Sequence, residues 1–290
     1  MTEFIEQALS SLPNGGIYAS LALALVVIYQ STRHINFAQG EMAMFSAYVA
    51  WFFMQLGLGY WSAFGITLGI SAGMGMLIQR FLLQPLLNAP PLSLIVVSIG
   101  LLMIFHGAAG LFFDHGIRQF PSPFDNYRWL QGLAISPHAI GTVALCAVIM
   151  FILFSFFRFS RAGLAIRAAS LNRDSANLVG VNVTFMLMLG WGLAAVLGAV
   201  AGVMTAPVVY LSPDMMSGVL LYALAAALLG GITSPLGAVV SGFLVSLIET
   251  LASVYIVGTE YKLTVALVII VAVLVLRPSG LFGKPITKRV

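Results

Sequence analysis

The stretch RHINFAQGE, Arg33 to Glu41, sets Arg33, His34, Asn36, Gln39 and Glu41 between two runs almost free of charge, LPNGGIYASLALALVVIYQ (Leu12–Gln30) and MAMFSAYVAWFFMQLGLGY (Met42–Tyr60). Each flank approaches the roughly 20 apolar residues a helix needs to cross hydrocarbon. The eleven residues between them, Ser31 to Glu41, are too few for a folded soluble loop. The stretch therefore reads as a tight turn between two membrane spans, and that reading decides the fold. Hydrocarbon offers backbone N–H and C=O groups no water, so such runs are helical.

Composition says the same for the whole chain. Of 290 residues, 60% are hydrophobic and only 8% charged, against about 25% charged in soluble domains. Mean hydropathy is +1.04. No soluble core absorbs that excess, so the class is integral membrane protein. The net charge of +4 is then a matter of where the bases lie, not a sign of nucleic-acid binding. The single Cys146 sits in an apolar run and supports no disulfide framework. The acidic N-terminus MTEFIEQ lacks the basic region of a cleaved signal, so the first span is expected to be retained.

Nine apolar runs are candidate spans: Leu12–Gln30, Met42–Tyr60, Trp61–Gln79, Leu92–Phe113, Ala139–Phe157, Val183–Ala206, Met215–Ile232, Leu236–Val257 and Thr259–Leu276. They are too continuous for the alternation of an outer-membrane barrel. The seventh is the weakest, rich in small residues and ending near Gly230-Gly231, as a broken or re-entrant helix would. The expectation is an all-α, polytopic transmembrane bundle of eight or nine spans, forming one domain over residues 1–290. Lys and Arg orient it. With the loop 158–182 and the tail after Leu276 in the cytoplasm, nine crossings put the N-terminus outside. The inner side then holds Arg33, Arg80, Arg158, Arg161, Arg167, Arg173, Arg277, Lys284, Lys288 and Arg289, ten of the thirteen bases. Arg118, Arg128 and Lys262 fall outside with most acids: Glu3, Glu6, Asp114, Asp125, Asp214 and Glu260. Tyr60, Trp61, Tyr210, Tyr255 and Tyr261 then form an outer aromatic belt. An echo of IYASLALAL near Ile17 in LYALAAALL near Leu221 is too weak to establish a repeat.

Few residues carry chemistry. Gly65, Gly69 and Gly73, and again Gly198 and Gly202, have the GxxxG spacing of close helix packing; such faces also suit helices that slide or border a pore. Glu249 is the carboxylate well inside a predicted span, either lining a polar path or paired to a neighbouring helix. His106 in MIFHGAAG reads as a packing residue rather than a ligand. No metal spacing, HExxH pattern or P-loop appears, and GLFGKP has neither the spacing nor the Ser/Thr of a phosphate loop. If ATP drives anything, another subunit hydrolyses it. In the loop RFSRAGLAIRAASLNRDSANLVGVN, Leu164, Ala168, Leu171, Ser175 and Leu178 fall on one helical stripe. Asn172 is placed to cap a second short helix and Gly180 to stop it. Such helices lie in the headgroup region or dock on a cytoplasmic partner.

Several motifs, in order over almost the whole chain, are similar to one family. LPNGGIYASLALALVVIYQSTRHINFAQGEMAM, SRAGLAIRAASLNRDSANLVGVN, LLGGITSPLGAVVSGFLVSLIETLASVYI and RPSGLFGKP resemble the membrane permease of bacterial branched-chain amino-acid ABC importers of the Liv type, its H subunit more than its M subunit. The resemblance implies a multi-pass protein of the bacterial inner membrane that is not an enzyme and has no catalytic residues, metal or cofactor of its own. It implies two cytoplasmic ATP-binding subunits holding ATP and Mg, a second related permease and an extracytoplasmic solute-binding protein. The loop 158–182 becomes the ATPase coupling element, with Arg161, Gly163, Arg167, Asp174 and Gly180 matching the family's pattern beside the stripe of Leu164, Ala168, Leu171 and Leu178. Two departures, Gln39 where many members have His and a base-poor Arg80–Pro91, leave a different substrate or subclass open.

The opening stretch then has two compatible readings. One is a capped helix start, with Asn36 as cap and Glu41 favoured by the helix dipole. The other is a polar lining or gate at the cytoplasmic end of a translocation path, formed by Asn36, Gln39, Gly40 and Glu41, with Glu249 elsewhere along it. Arg33 would pair with Glu41 or reach headgroups. The rivals are an ion-coupled secondary transporter, which needs a mid-membrane ion site, and a membrane enzyme, which needs clustered catalytic groups that His34, His115 and His138 do not supply. Urea or amides and small carboxylates also remain open as substrates.

Overall fold

The computed structural model describes residues 2–87, 89–124 and 136–283. Asp125, Arg128, Lys284, Lys288 and Arg289, assigned above to loop and tail, lie outside the described residues. Among the described residues twelve α-helices follow one another: α1 (Thr2–Ser10), α2 (Leu12–Thr32), α3 (Gln39–Gln55), α4 (Tyr60–Leu77), α5 (Pro91–Phe113), α6 (Pro137–Phe159), α7 (Arg161–Leu171), α8 (Arg173–Leu178), α9 (Val183–Val209), α10 (Ser217–Gly230), α11 (Pro235–Ala252) and α12 (Lys262–Leu276). Short π-helical turns extend α4 over Ile78–Leu83 and α11 over Ser253–Val257. The one β-bridge among the described residues joins Arg118 to Leu211. The protein is thus an all-α polytopic bundle.

Among the described residues, seven helices are long and apolar enough to cross a membrane. Two of the nine expected runs fold shorter. Met42–Tyr60 yields α3, of 17 residues, and Met215–Ile232 yields α10, of 14. The reason for the second is visible at its end. Gly231 turns the chain with φ +94, and the segment after α12 folds back onto the turn. There the Leu281 N–H donates to the Leu229 carbonyl at 2.7 Å and the Phe282 N–H to that of Gly230 at 3.2 Å. Carbonyls that a helix end leaves unpaired are met by backbone. Elsewhere, large apolar side chains stand exposed along α5 (Val96, Met103, Ile104, Leu111) and α12 (Val268, Val271, Val275, Leu276). A soluble protein would hide such stripes, whereas lipid solvates them. This is a multi-pass membrane protein.

The chain packs as two compact units. The first comprises residues 1–26, 122–147 and 217–290. Here α2 lies against α11 so closely that a Cβ on Gly242 would meet the Ala19 backbone and one on Gly15 would meet Phe243. The Ser246 hydroxyl donates to the Ser11 carbonyl at 2.7 Å, and the Cys146 thiol to that of Gly16 at 2.8 Å. Tyr18 and Tyr222, from the two echoing segments, stack with centroids 4.9 Å apart.

The second unit comprises residues 27–121 and 148–216. Its axis is α9, buried along most of its length. Small residues let neighbours approach its backbone. Gly75 of α4 sits on the Trp191 carbonyl, and Gly198 and Gly202 receive Gln39 and Ala43 of α3. The GxxxG pair of α9 is therefore used for close packing. In contrast, Gly65, Gly69 and Gly73 of α4 have nothing within 4 Å of where a Cβ would stand.

This contrast yields a test. Gly202→Ala drives a methyl into the Ala43 carbonyl and costs on the order of 1–3 kcal/mol through overpacking, whereas Gly69→Ala leaves stability unchanged or slightly raised. Thermal unfolding of the purified variants in detergent measures both.

Candidate functional site

The polar stretch of the second unit breaks the chain between α2 and α3, deep against α9. Arg33 ends α2 at φ 64, a left-handed conformation disfavoured for any side-chain-bearing residue, and its N–H donates to the Tyr29 carbonyl at 2.9 Å. Asn36 was expected to cap α3, but the cap position belongs to Ala38, which makes no side-chain cap bond. Asn36 acts two residues earlier. Its carboxamide oxygen accepts the Ala38 N–H at 3.1 Å and its amide donates to the Gln39 side-chain oxygen at 3.3 Å. Gln39 in turn donates to the Ala194 carbonyl of α9 at 2.9 Å. Asn36, Gln39 and Gly40 are all buried. Ala194 lies eleven residues into α9, roughly 16 Å along its axis at 1.5 Å per residue. So α3 begins well inside the bundle rather than at its end.

That depth decides the fate of Glu41, in the first turn of α3 where the helix dipole favours a carboxylate. It is buried, and it faces His106 of α5, not the exposed Arg33. Glu41 Oε2 stands 3.5 Å from His106 Nδ1, and Asp214 Oδ1 stands 3.9 Å from His106 Nε2. Glu249 is thus not alone: Glu41 is a second carboxylate inside a helix bundle. His106, read from the sequence as a packing residue, is the hinge of a carboxylate–imidazole–carboxylate row.

Beside the break, His34 Nε2 and Trp191 Nε1 are buried without protein partners, their rings 6.0 Å apart. The other His34 ring nitrogen, Nδ1, lies 3.3 Å from the Thr32 carbonyl, and the Arg173 charge reaches the ring. The broken segment therefore feels the charge of α8.

Glu249, in the first unit, has its own partners. The Tyr18 hydroxyl donates to its Oε2 at 2.9 Å and Lys262 Nζ lies 3.8 Å from its Oε1. Glu249 is thus paired with neighbouring helices.

The loop 158–182 forms two capped helices, as its pattern predicts. Ser160 accepts the Gly163 N–H at 2.9 Å, Asn172 that of Ser175 at 3.0 Å, and Gly180 turns at φ +83. The expected residues divide by role. Gly163 packs on the Phe156 carbonyl, and Arg167 donates to the Phe157 carbonyl at 2.8 Å, so both fasten α7 to the end of α6. Ala169 and Ala176 turn inward onto Val183 and Leu187 of α9. Leu164, Leu171 and Leu178 stand 62%, 74% and 87% exposed, Val179 beside them, with Arg161 and Asp174 also exposed and Ala168 half-buried. The predicted stripe is an outward apolar face on a braced support.

His106, Asp214, Tyr18 and Lys262 were not legible as partners. The only available signal was that an ionisable residue in a span needs one, and nothing in a single sequence names which.

Residues 7–274 match the family model described as branched-chain amino acid transport system / permease component. The chain is 30% identical to the high-affinity branched-chain amino acid transport system permease protein LivH of Escherichia coli (strain K12), an alignment covering 99% of this chain and 98% of LivH. It is 29% identical to the corresponding permease protein BraD of Pseudomonas aeruginosa, with the same coverage, 99% and 98%. It is 27% identical to the probable LivH of Methanocaldococcus jannaschii, over 91% of this chain and 87% of that one.

If the Glu249 cluster is structural, Tyr18→Phe strands a buried carboxylate oxygen and destabilises the protein by about 1–3 kcal/mol. Glu249→Gln, which keeps an acceptor for the Tyr18 hydroxyl, costs less. Thermal melts of both variants check the order.

Proposed function

Because the chain belongs to the family of branched-chain amino acid transport system permease components, and is therefore a transport subunit and not an enzyme, we propose that it forms the translocation path of an ATP-driven importer for branched-chain amino acids. The observation that carries this reading is the exposed row of Leu164, Leu171, Leu178 and Val179 on two short, capped helices. Apolar side chains on a braced helical face fit a hydrophobic groove in a partner. In this reading the partners are two cytoplasmic ATPases, and the 158–182 loop is the coupling element of a single permease domain. The positive-inside bias supports a cytoplasmic C-terminus and an external N-terminus in a bacterial inner membrane.

The full importer, on this proposal, adds a second related permease and a binding protein that delivers solute from outside. ATP closes the ATPase pair, the closure moves α7 and α8, and the bracing by Gly163 and Arg167 transmits the movement to the end of α6. Ala169 and Ala176 transmit it to α9. The α2–α3 break is the natural place for the path to change shape, because Gln39 ties it to α9 and it starts α3 with the buried Glu41. Selectivity rests with the delivering protein, since a path must release what it binds.

The test is purification of the tagged chain from its native membrane in mild detergent, with mass spectrometry of what accompanies it. An ATPase and a related permease are expected. Leu171→Asp with Leu178→Asp reduces recovered ATPase about tenfold or more, as loss of central apolar contacts does at interfaces, while the permease pair persists. A chain that purifies alone and carries leucine without ATP overturns the reading in favour of a secondary carrier.

A further inference from the structure

We propose that Glu41, Asp214 and the Tyr48 hydroxyl form a binding station for a primary ammonium group, that of the transported amino acid, with His106 holding the place the ammonium takes. This rests on the transport reading above and adds to it the atoms that meet the solute.

The row is graded from outside to inside. Asp214 is 82% exposed, His106 35%, and Glu41 6% by side chain. Glu41 Oε2 is buried and has no hydrogen bond: at 3.5 Å its approach to the imidazole is an ion-pair distance without hydrogen-bond geometry. A carboxylate oxygen in that state is costly unless a cation or donor meets it. Two turns along α3, on the same face, the Tyr48 hydroxyl is fully buried and likewise unpartnered. The Asp214 charge reaches both Glu41 and Tyr48.

A cation, Arg118, lies nearby, held by neutral partners, with its Nε buried and unpartnered. Arg118 donates to the Phe113 carbonyl and its guanidinium lies 4.3 Å over the Trp51 ring, with its charge and that of Asp114 reaching Tyr48. Two carboxylates thus face one imidazole. The carboxylates sit at opposite ring nitrogens, so they do not close around one metal ion. They suit a group with three N–H donors that can hold Asp214 first and Glu41 next, which is an ammonium.

Aromatic rings pack on one another along the same face. Phe45 meets Phe105 at 5.5 Å and Phe113 at 6.2 Å, and Tyr48 stacks on Phe113 at 4.8 Å. Aromatic faces attract a cation and shelter an aliphatic side chain.

Two experiments decide it. The first uses the purified full-length chain, probed with 3-methylbutylamine, a cation with an aliphatic tail, and with 4-methylpentanoate, its anionic counterpart. The amine raises the melting temperature by about 2–4 °C, the acid does not, and Glu41→Gln abolishes the shift. Equal shifts from both probes, no shift, or a shift that survives Glu41→Gln overturns the station.

The second uses the reconstituted importer taking up L-leucine. Glu41→Gln lowers uptake about tenfold while ATP hydrolysis continues. Asp214→Asn, on an exposed side chain that folding does not need, carries the same expectation if Glu41→Gln does not fold. Wild-type leucine uptake with Asp214→Asn unimpaired overturns the station alone. A wild-type importer that takes up no leucine overturns the functional reading, and the station with it.

Discussion

Hydrocarbon supplies no hydrogen bonds, and the second unit depends on how the chain meets that constraint where α2 stops. Six residues, Arg33 to Ala38, leave helical geometry beside the middle of α9. Their backbone and the start of α3 would be costly there without partners. Asn36 supplies one bond to the Ala38 N–H and one to Gln39, and Gln39 anchors the assembly to the Ala194 carbonyl. Without this short relay α3 could not begin at depth, and Glu41 would not reach His106.

Close backbone approach makes the relay possible. Gly198 leaves room for the Gln39 amide, and Gly202 admits the Ala43 carbonyl. Helices in lipid gain nothing from hiding apolar surface from one another, so packing and interhelical hydrogen bonds set their arrangement. The first unit uses the same means, with Gly242 against Ala19 and a seryl hydroxyl on the Ser11 carbonyl. There, too, the buried carboxylate has found donors, in Tyr18 and Lys262. The two glutamates differ in one physical respect: Glu249 is hydrogen-bonded and Glu41 Oε2 is not.

The exposed helices α7 and α8 follow the opposite logic. Their capping bonds and inward small residues hold the backbone, which leaves the leucines free to meet something else.

Much of this was determined by local chemistry that a sequence displays directly. Twenty apolar residues in a row make a helix in lipid whatever surrounds them, so the all-α bundle and most of its helices were legible. So were the caps at Asn172 and Gly180, because capping depends on residues three positions apart. The order of motifs was enough to indicate the family. What a single sequence could not contain was the depth at which α3 begins. Reading Met42–Tyr60 as a full span put Glu41 at a membrane face and Asp214 at the other, yet both stand beside His106. The depth is set by contacts across long separations, Gln39 with Ala194 and Ala43 with Gly202, and no local propensity encodes them. The same holds for Glu249, whose need for a partner was plain and whose partners, from α2 and the start of α12, only tertiary packing chose.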